Sequence, residues 1–210
     1  MDVYKEISLR KLVPVVKLDN AADAEPLMAA LIGGGLPVAE ITFRTDAARD
    51  SIAAISGKYP EALVGAGSLT SVRQAEDAVA AGAKFLLSAG FSEEIVKYAL
   101  VHGIPYMPGI CTPTELMKLV EYGLPVAKFF PAENCGGVKT IKAIAAAFPT
   151  MKFMPTGGIN ASNVLDYLSF DKIIACGGSW MVKTSMINAH EFEKIEELTR
   201  QAVALVAGNR

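Results

Sequence analysis

KFMPTGGINASNVLDYLSFDKIIACGG, residues 152–178, carries the pattern from which the fold is read. Two short apolar runs, 152–158 and 172–178, each close on a Gly-Gly pair. Between them, Ala161 to Leu168 reads as a helix. A strand, a helix and a second strand in this order make a parallel unit, because parallel neighbours need a crossover.

The same unit recurs toward the N-terminus. Further runs lie at 12–18 (LVPVVKL), 38–43 (VAEITF), 62–67 (ALVGAG), 85–90 (FLLSAG), 105–110 (PYMPGI) and 126–131 (VAKFFP), which brings the candidate strands to eight. Helical stretches with readable ends separate them. Asp19-Asn20 caps the first, which closes at Gly33-Gly34-Gly35, and Thr45 caps the second, which runs to about Lys58. Ser68 or Thr70 opens the third, ending at Gly82, and Ser92 opens the fourth, ending near Gly103. Thr112, Pro113 and Glu115 form a capping-box pattern for the fifth, which stops near Gly123. The sixth covers about 137–148 and the last about 190–207. Eight units with nearly continuous apolar strands predict an α/β fold, a (β/α)8 TIM barrel in which residues 1–210 form a single domain. Residues before Leu12 predict a short N-terminal helix capping the barrel bottom. A doubly wound open sheet is the alternative, but no G-x-G-x-x-G follows the first strand.

Composition narrows the functions. The chain has 210 residues, 51% hydrophobic and 20% charged, as a globular protein does. A net charge of −2 supplies no basic field for phosphate contacts, so no nucleic-acid partner is expected. The apolar runs are short and interrupted, so no membrane partner is expected. The N-terminal MDVYKEISLRKL lacks the apolar core of a signal peptide, which leaves cytoplasmic residence as the default expectation. Cys111, Cys135 and Cys176 are odd in number without CxxC spacing, and His102 and His190 lie far apart. Neither a disulfide framework nor a metal site is expected, and no cofactor is implied.

In this architecture chemistry sits at the C-terminal ends of the strands. Lys84, Lys152 and Lys172 precede their strands and read as structural. Lys128 is different, since it lies inside the apolar VAKFFP. A buried amine is favoured in its neutral form, and a neutral amine is a nucleophile toward carbonyls. The alternative is a lysine that snorkels to the mouth or merely pairs with Glu40. Glu40, inside VAEITF, is a candidate proton shuttle or a plain ion-pair partner of Lys128 or Arg44. Lys17 is the rival nucleophile, read as a more exposed cation. Arg44 follows the second strand and offers a planar fork to a carboxylate, unless it pairs with Asp46. Ser68 offers a hydroxyl there, or a helix cap. Thr156-Gly157-Gly158 and Gly177-Gly178-Ser179 end the last two strands, where barrels of this kind often bind phosphate through backbone N–H groups.

These segments recur together in one known family. AEITFRT (39–45), GAGS (65–68), KFFPAE (128–133), PTGGI (155–159) and GGSW (177–180) resemble, in this order, the motifs of the 2-keto-3-deoxy-6-phosphogluconate (KDPG) aldolase family, which includes 4-hydroxy-2-oxoglutarate (KHG) aldolases. The resemblance implies that Lys128 is the Schiff-base lysine and Glu40 its general acid/base, working through a water. It further implies that Arg44, Ser68 and Thr156 bind the pyruvate moiety and that Gly157, Gly158, Gly178 and Ser179 bind phosphate. The substrate is then a phosphorylated 2-keto acid, the enzyme metal-independent and cytoplasmic, and the assembly a homotrimer. Two positions depart from the family pattern: Ser68 stands where many members have threonine, and Ala89 where many have proline. Two other readings stay open, a sugar-phosphate isomerase or epimerase with Glu40 as base, and a non-catalytic phosphosugar-binding regulator.

Overall fold

A computed structural model of the chain describes residues 2–208. It has an α/β fold in which parallel strands alternate with helices. The six-stranded sheet is ordered β5 (Tyr106–Met107), β4 (Leu86–Leu87), β3 (Leu63–Gly67), β2 (Val38–Thr42), β1 (Leu12–Val16), β9 (Cys176–Gly178). The three-stranded sheet is ordered β6 (Gly109–Ile110), β7 (Val126–Phe129), β8 (Lys152–Phe153). Isolated parallel bridges join Phe153 to Ile173 and Thr156 to Gly177.

The predicted fifth strand, 105–110, is split into β5 and β6 at Pro108, which has no N–H to give a ladder. The carbonyl of Pro108 still accepts from the Lys128 N–H at 3.0 Å. The predicted eighth strand keeps regular pairing only over Cys176–Gly178.

Helix ends follow local chemistry. α1 (Val3–Arg10) starts at Asp2, whose side chain accepts from the Lys5 N–H. Asn20 caps a 3-10 turn (Ala21–Asp23) that leads into α2 (Ala24–Gly33). Thr45 does not cap α3 (Ala48–Lys58), because its hydroxyl donates to the Leu18 carbonyl instead. Neither Ser68 nor Thr70 opens α4 (Val72–Ala80); Ser71 does, accepting from the Gln74 N–H. Ser92 caps α5 (Glu93–His102), which stops at Gly103 with φ 64°. Thr112 and Glu115 form the expected capping box of α6 (Pro113–Glu121). α7 (Gly137–Ala147) follows β7. α8 is shorter than expected (Val164–Leu168), and α9 (Thr184–Asn188) precedes α10 (Phe192–Ala207).

The lysines before strands hold carbonyls. Lys84 Nζ donates to Ala62 O at 2.8 Å and Lys152 Nζ to Asp171 O at 3.2 Å. Lys172 Nζ donates to Ala145 O and Pro149 O, the latter at 3.0 Å, past the C-terminus of α7. Such contacts satisfy the carbonyls a helix end or loop leaves over.

Candidate active site

A buried side-chain ion pair links the two sheets. Glu40 is the central residue of β2 and is fully buried, and Lys128 of β7 is 4% exposed. Lys128 Nζ donates to Glu40 Oε1 at 2.8 Å. With only 5% of its side chain accessible, Lys128 does not snorkel to solvent. Glu40 pairs with Lys128 and not with Arg44. Its second oxygen, Oε2, is buried and has no hydrogen-bond partner among the described residues.

Gly67 makes that carboxylate possible. A Cβ at this position would lie 1.9 Å from Glu40 Oε1, inside any van der Waals contact. The Gly65-Ala66-Gly67 run therefore makes room for the acid on the neighbouring strand.

A cleft of about 350 Å³ opens at the C-terminal ends of the strands. Arg44, Ser68, Thr156, Gly157, Gly158, Gly178 and Ser179 all line it, as do Val15, Ala89, Phe130, Ile159 and Gly177. Every proposed binding residue is thus in one place, while Lys128 and Glu40 are not among the lining residues. Phe130 connects the two, since Lys128 Nζ lies 5.7 Å from its ring centroid. Lys128 and Phe130 share a strand face while Phe129, fully buried, points the other way. Phe130 has no role in the sequence reading; period-two alternation around Lys128 is the signal that separates it from Phe129.

The pieces of the rim are held by specific contacts. Arg44 Nε donates to Ser68 Oγ at 3.1 Å, and Arg44 makes no ion pair with Asp46. Ser68 takes a left-handed φ of 58°, uncommon for a side-chain-bearing residue and frequent at functional sites. Thr156 is 5% exposed, and its Oγ1 is buried without a partner among the described residues. Gly157 and Gly158 have φ of 102° and 80°, which only glycine adopts freely. Their loop is tied to the one after β7: Ala132 N–H donates to Thr156 O at 2.8 Å and Glu133 N–H to Gly157 O at 3.1 Å. Tyr167 donates its hydroxyl to Glu133 Oε1. Burial first, then the Glu133 carboxylate, raises that hydroxyl well above its ordinary value, so it stays a donor.

Lys17 lies just past the end of β1, half exposed and 2.5 Å from Asp19 Oδ1. It is a solvent-accessible ion-pair partner, whereas Lys128 is a buried amine against Glu40, which argues against the rival nucleophile. No group of three or more His, Cys, Asp or Glu side chains placed to hold a metal occurs among the described residues. No helix among them is long and apolar enough to cross a membrane.

Fold and site together define a parallel α/β protein with a buried lysine–glutamate pair beneath a glycine-rimmed cleft. The chain belongs to the KDPG and KHG aldolase family, which it matches over residues 3–198. It is 41% identical over 204 residues to the 2-dehydro-3-deoxy-phosphogluconate aldolase of Treponema pallidum, covering 97% of each chain. It is 43% identical over 192 residues to the KHG/KDPG aldolase of Escherichia coli K12, covering 91% of this chain and 90% of that one. Among solved structures, the KDPG aldolase of Legionella pneumophila with pyruvate captured as a covalent carbinolamine superposes with a TM-score of 0.92 at 36% identity, covering 96% and 98% of the two chains.

Proposed function

We propose that this chain is a class I, Schiff-base aldolase that reversibly cleaves 2-keto-3-deoxy-6-phosphogluconate to pyruvate and glyceraldehyde 3-phosphate. Cleavage of 4-hydroxy-2-oxoglutarate to pyruvate and glyoxylate is a second activity of the same site. The observation that carries the reading is the buried 2.8 Å Lys128–Glu40 hydrogen bond, with Lys128 Nζ 5.7 Å from the ring of Phe130, which lines a strand-end cleft. Family membership and the pyruvate carbinolamine of the Legionella relative support it.

Passing a proton from Lys128 Nζ to Glu40 Oε1 frees the amine to add to the C2 ketone. Glu40 then returns protons as the carbinolamine loses water. The resulting iminium withdraws electrons from C3. Glu40 takes the proton of the C4 hydroxyl as the C3–C4 bond breaks, and the aldehyde leaves. The enamine is reprotonated at C3, and hydrolysis of the imine releases pyruvate. Arg44, Ser68 and Thr156 hold the substrate carboxylate, and Gly157, Gly158, Gly178 and Ser179 hold the phosphate through N–H and hydroxyl donors.

We also read the two sheets as arcs of one closed (β/α)8 barrel, with α1 as its bottom cap. The Phe153–Ile173 and Thr156–Gly177 bridges, the shared run of β5 and β6, and the β1–β9 pairing support closure. The Tyr4 hydroxyl reaches the Tyr106 carbonyl at 3.4 Å, which supports the cap. One buried cluster from Val3 to Val206 supports a single domain. The assembly is a homotrimer; exposed Val101 (81%) and Met117 (62%) supply apolar surface for contacts between copies. Three free thiols suit a reducing, cytoplasmic setting.

Borohydride in the presence of pyruvate is expected to add irreversible mass to the tryptic fragment holding Lys128. No adduct, or one that persists in Lys128→Ala, refutes the assignment.

A further inference from the structure

Two of the three cysteines are neighbours although they lie on different strand ends. Cys111 directly follows β6 and Cys135 ends the loop after β7. The register Ile110↔Phe129 and the hydrogen bond from Phe130 N–H to Ile110 O (3.1 Å) set Cys111 beside Phe130 and Pro131. Cys135 N–H folds back onto Pro131 O at 3.0 Å. The Cys135 thiol is among the groups that act on the Cys111 thiol, and both residues are partly exposed. Cys176, by contrast, is fully buried in the core.

We propose that Cys111 and Cys135 form a site of reversible oxidation by a low-molecular-weight disulfide, closing into an intrachain disulfide that lowers turnover. The Cys135 thiolate attacks one sulfur of the oxidant, forming a mixed disulfide and expelling one thiolate. The Cys111 thiolate then attacks the Cys135 sulfur and expels the second. Two protein thiols and one small disulfide become one protein disulfide and two small thiols, so atoms and electrons balance. Burial first, then the Glu115 carboxylate, holds the Cys111 thiol above its ordinary range, so Cys111 is assigned as the second thiol to react.

The link to activity rests on the function proposed above and runs through the loop that Cys135 ends. That loop's Ala132 and Glu133 N–H groups tie down the carbonyls of Thr156 and Gly157 in the cleft wall. Closing the two thiols into a bond of about 2.05 Å draws the loop toward Cys111. Both ties are then stretched, and the phosphate end of the cleft is loosened.

The experiment treats the full chain with oxidised glutathione, blocks the remaining thiols, digests with trypsin and maps peptides. The expected product joins residues 98–118 to residues 129–139, with residues 173–183, which hold Cys176, unlinked. It is accompanied by a fall of about tenfold in kcat/KM on the phosphorylated substrate, expressed mainly in KM and reversed by dithiothreitol. Cys135→Ser and Cys111→Ser are each expected to keep the reduced rate and to escape the loss. Separately blocked thiols, a mixed disulfide that does not resolve, or a linked product with an unchanged rate would each overturn the proposal. A reduced protein that fails to cleave the substrate refutes the aldolase reading instead, and the peptide map still decides whether the thiols pair.

Discussion

Lys128→Met removes the amine while keeping a side chain of similar length, and its effect on stability can be worked out from the burial of its partner. Glu40 is fully buried; Oε2 has no partner among the described residues, and Oε1 loses Lys128 Nζ. Removing one member of a buried ion pair costs about 3–5 kcal/mol, because the other charge is stranded. The stranded carboxyl escapes by taking up a proton. For a glutamate of ordinary unfolded-state acidity that uptake costs about 3.7 kcal/mol at pH 7, at about 1.36 kcal/mol per pH unit. The two routes agree, and the second sets a ceiling. A carboxyl that is neutral when folded has a folded value raised above its unfolded one. Its stability is therefore fully present below the unfolded value and lost as pH rises, so the deficit of the variant shrinks by about 2.7 kcal/mol between pH 7 and pH 5. The double variant Lys128→Met/Glu40→Gln buries no charge and is expected to be more stable than the single one at pH 7, with no such pH dependence. Urea unfolding at both pH values, with m-values checked for equality, makes the measurement. A Lys128→Met protein as stable as the parent at pH 7, or a deficit independent of pH, refutes the idea of a tightly coupled buried pair.

Three further outcomes are expected. Gly67→Ala places a Cβ 1.9 Å from where Glu40 Oε1 now lies, so the carboxylate must leave Lys128; kcat is expected to fall by about 100-fold while KM changes little, read by steady-state kinetics. Arg44→Lys keeps the charge and loses the planar fork, so KM for the 2-keto acid is expected to rise about tenfold with kcat nearly kept. Thr112→Ala, which is not among the cleft-lining residues, is expected to cost about 1 kcal/mol in urea unfolding and leave kcat unchanged. Its partner in the cap sets a pH dependence: burial raises Glu115, but the N–H groups of Cys111 and Thr112 and the Thr112 hydroxyl outweigh it, and the net value is lowered. That contribution is present above the ordinary glutamate range and is lost as pH falls through the lowered value; Glu115→Gln is expected to remove it from the acid-unfolding curve.

What the sequence disclosed depended on whether the cause was local. Buried parallel strands are apolar on both faces, so β1, β2, β3 and β7 stand out as runs, and Lys128 and Glu40 stand out as charges inside them. The α6 capping box was legible because its three residues are consecutive or nearly so. Thr45 failed as a cap because its hydroxyl found Leu18 O, 27 residues away, which no local rule detects. Pro108 carries a clear local signal, a missing N–H, that cuts one run into β5 and β6. Ser68 gave no sign of its left-handed backbone, since serine does not favour it; the tertiary contact with Arg44 accompanies it there. The pairing of residues 40 and 128 itself needed the fold, because their separation of 88 residues is closed only by bringing two sheets together.

The buried polar atoms without partners point to the same place. Three side-chain atoms are in this position among the described residues: Arg10 Nε, Glu40 Oε2 and Thr156 Oγ1. Native proteins satisfy nearly all such atoms, because each costs about 1–3 kcal/mol when left alone. Arg10 lies on α1, away from the cleft, and its guanidinium is already bonded to Glu6. Of the other two, one belongs to the carboxylate that holds the Lys128 amine and one to the cleft wall opposite Gly177, where a Cβ would come within 2.2 Å of the hydroxyl. Glu40 Oε2 can accept a proton, and Thr156 Oγ1 can donate to a carboxylate or accept from a hydroxyl. A core built only for stability has no reason to keep both unpaired around its sole buried lysine, whereas a site that moves protons on a bound 2-keto acid requires atoms left open for the substrate.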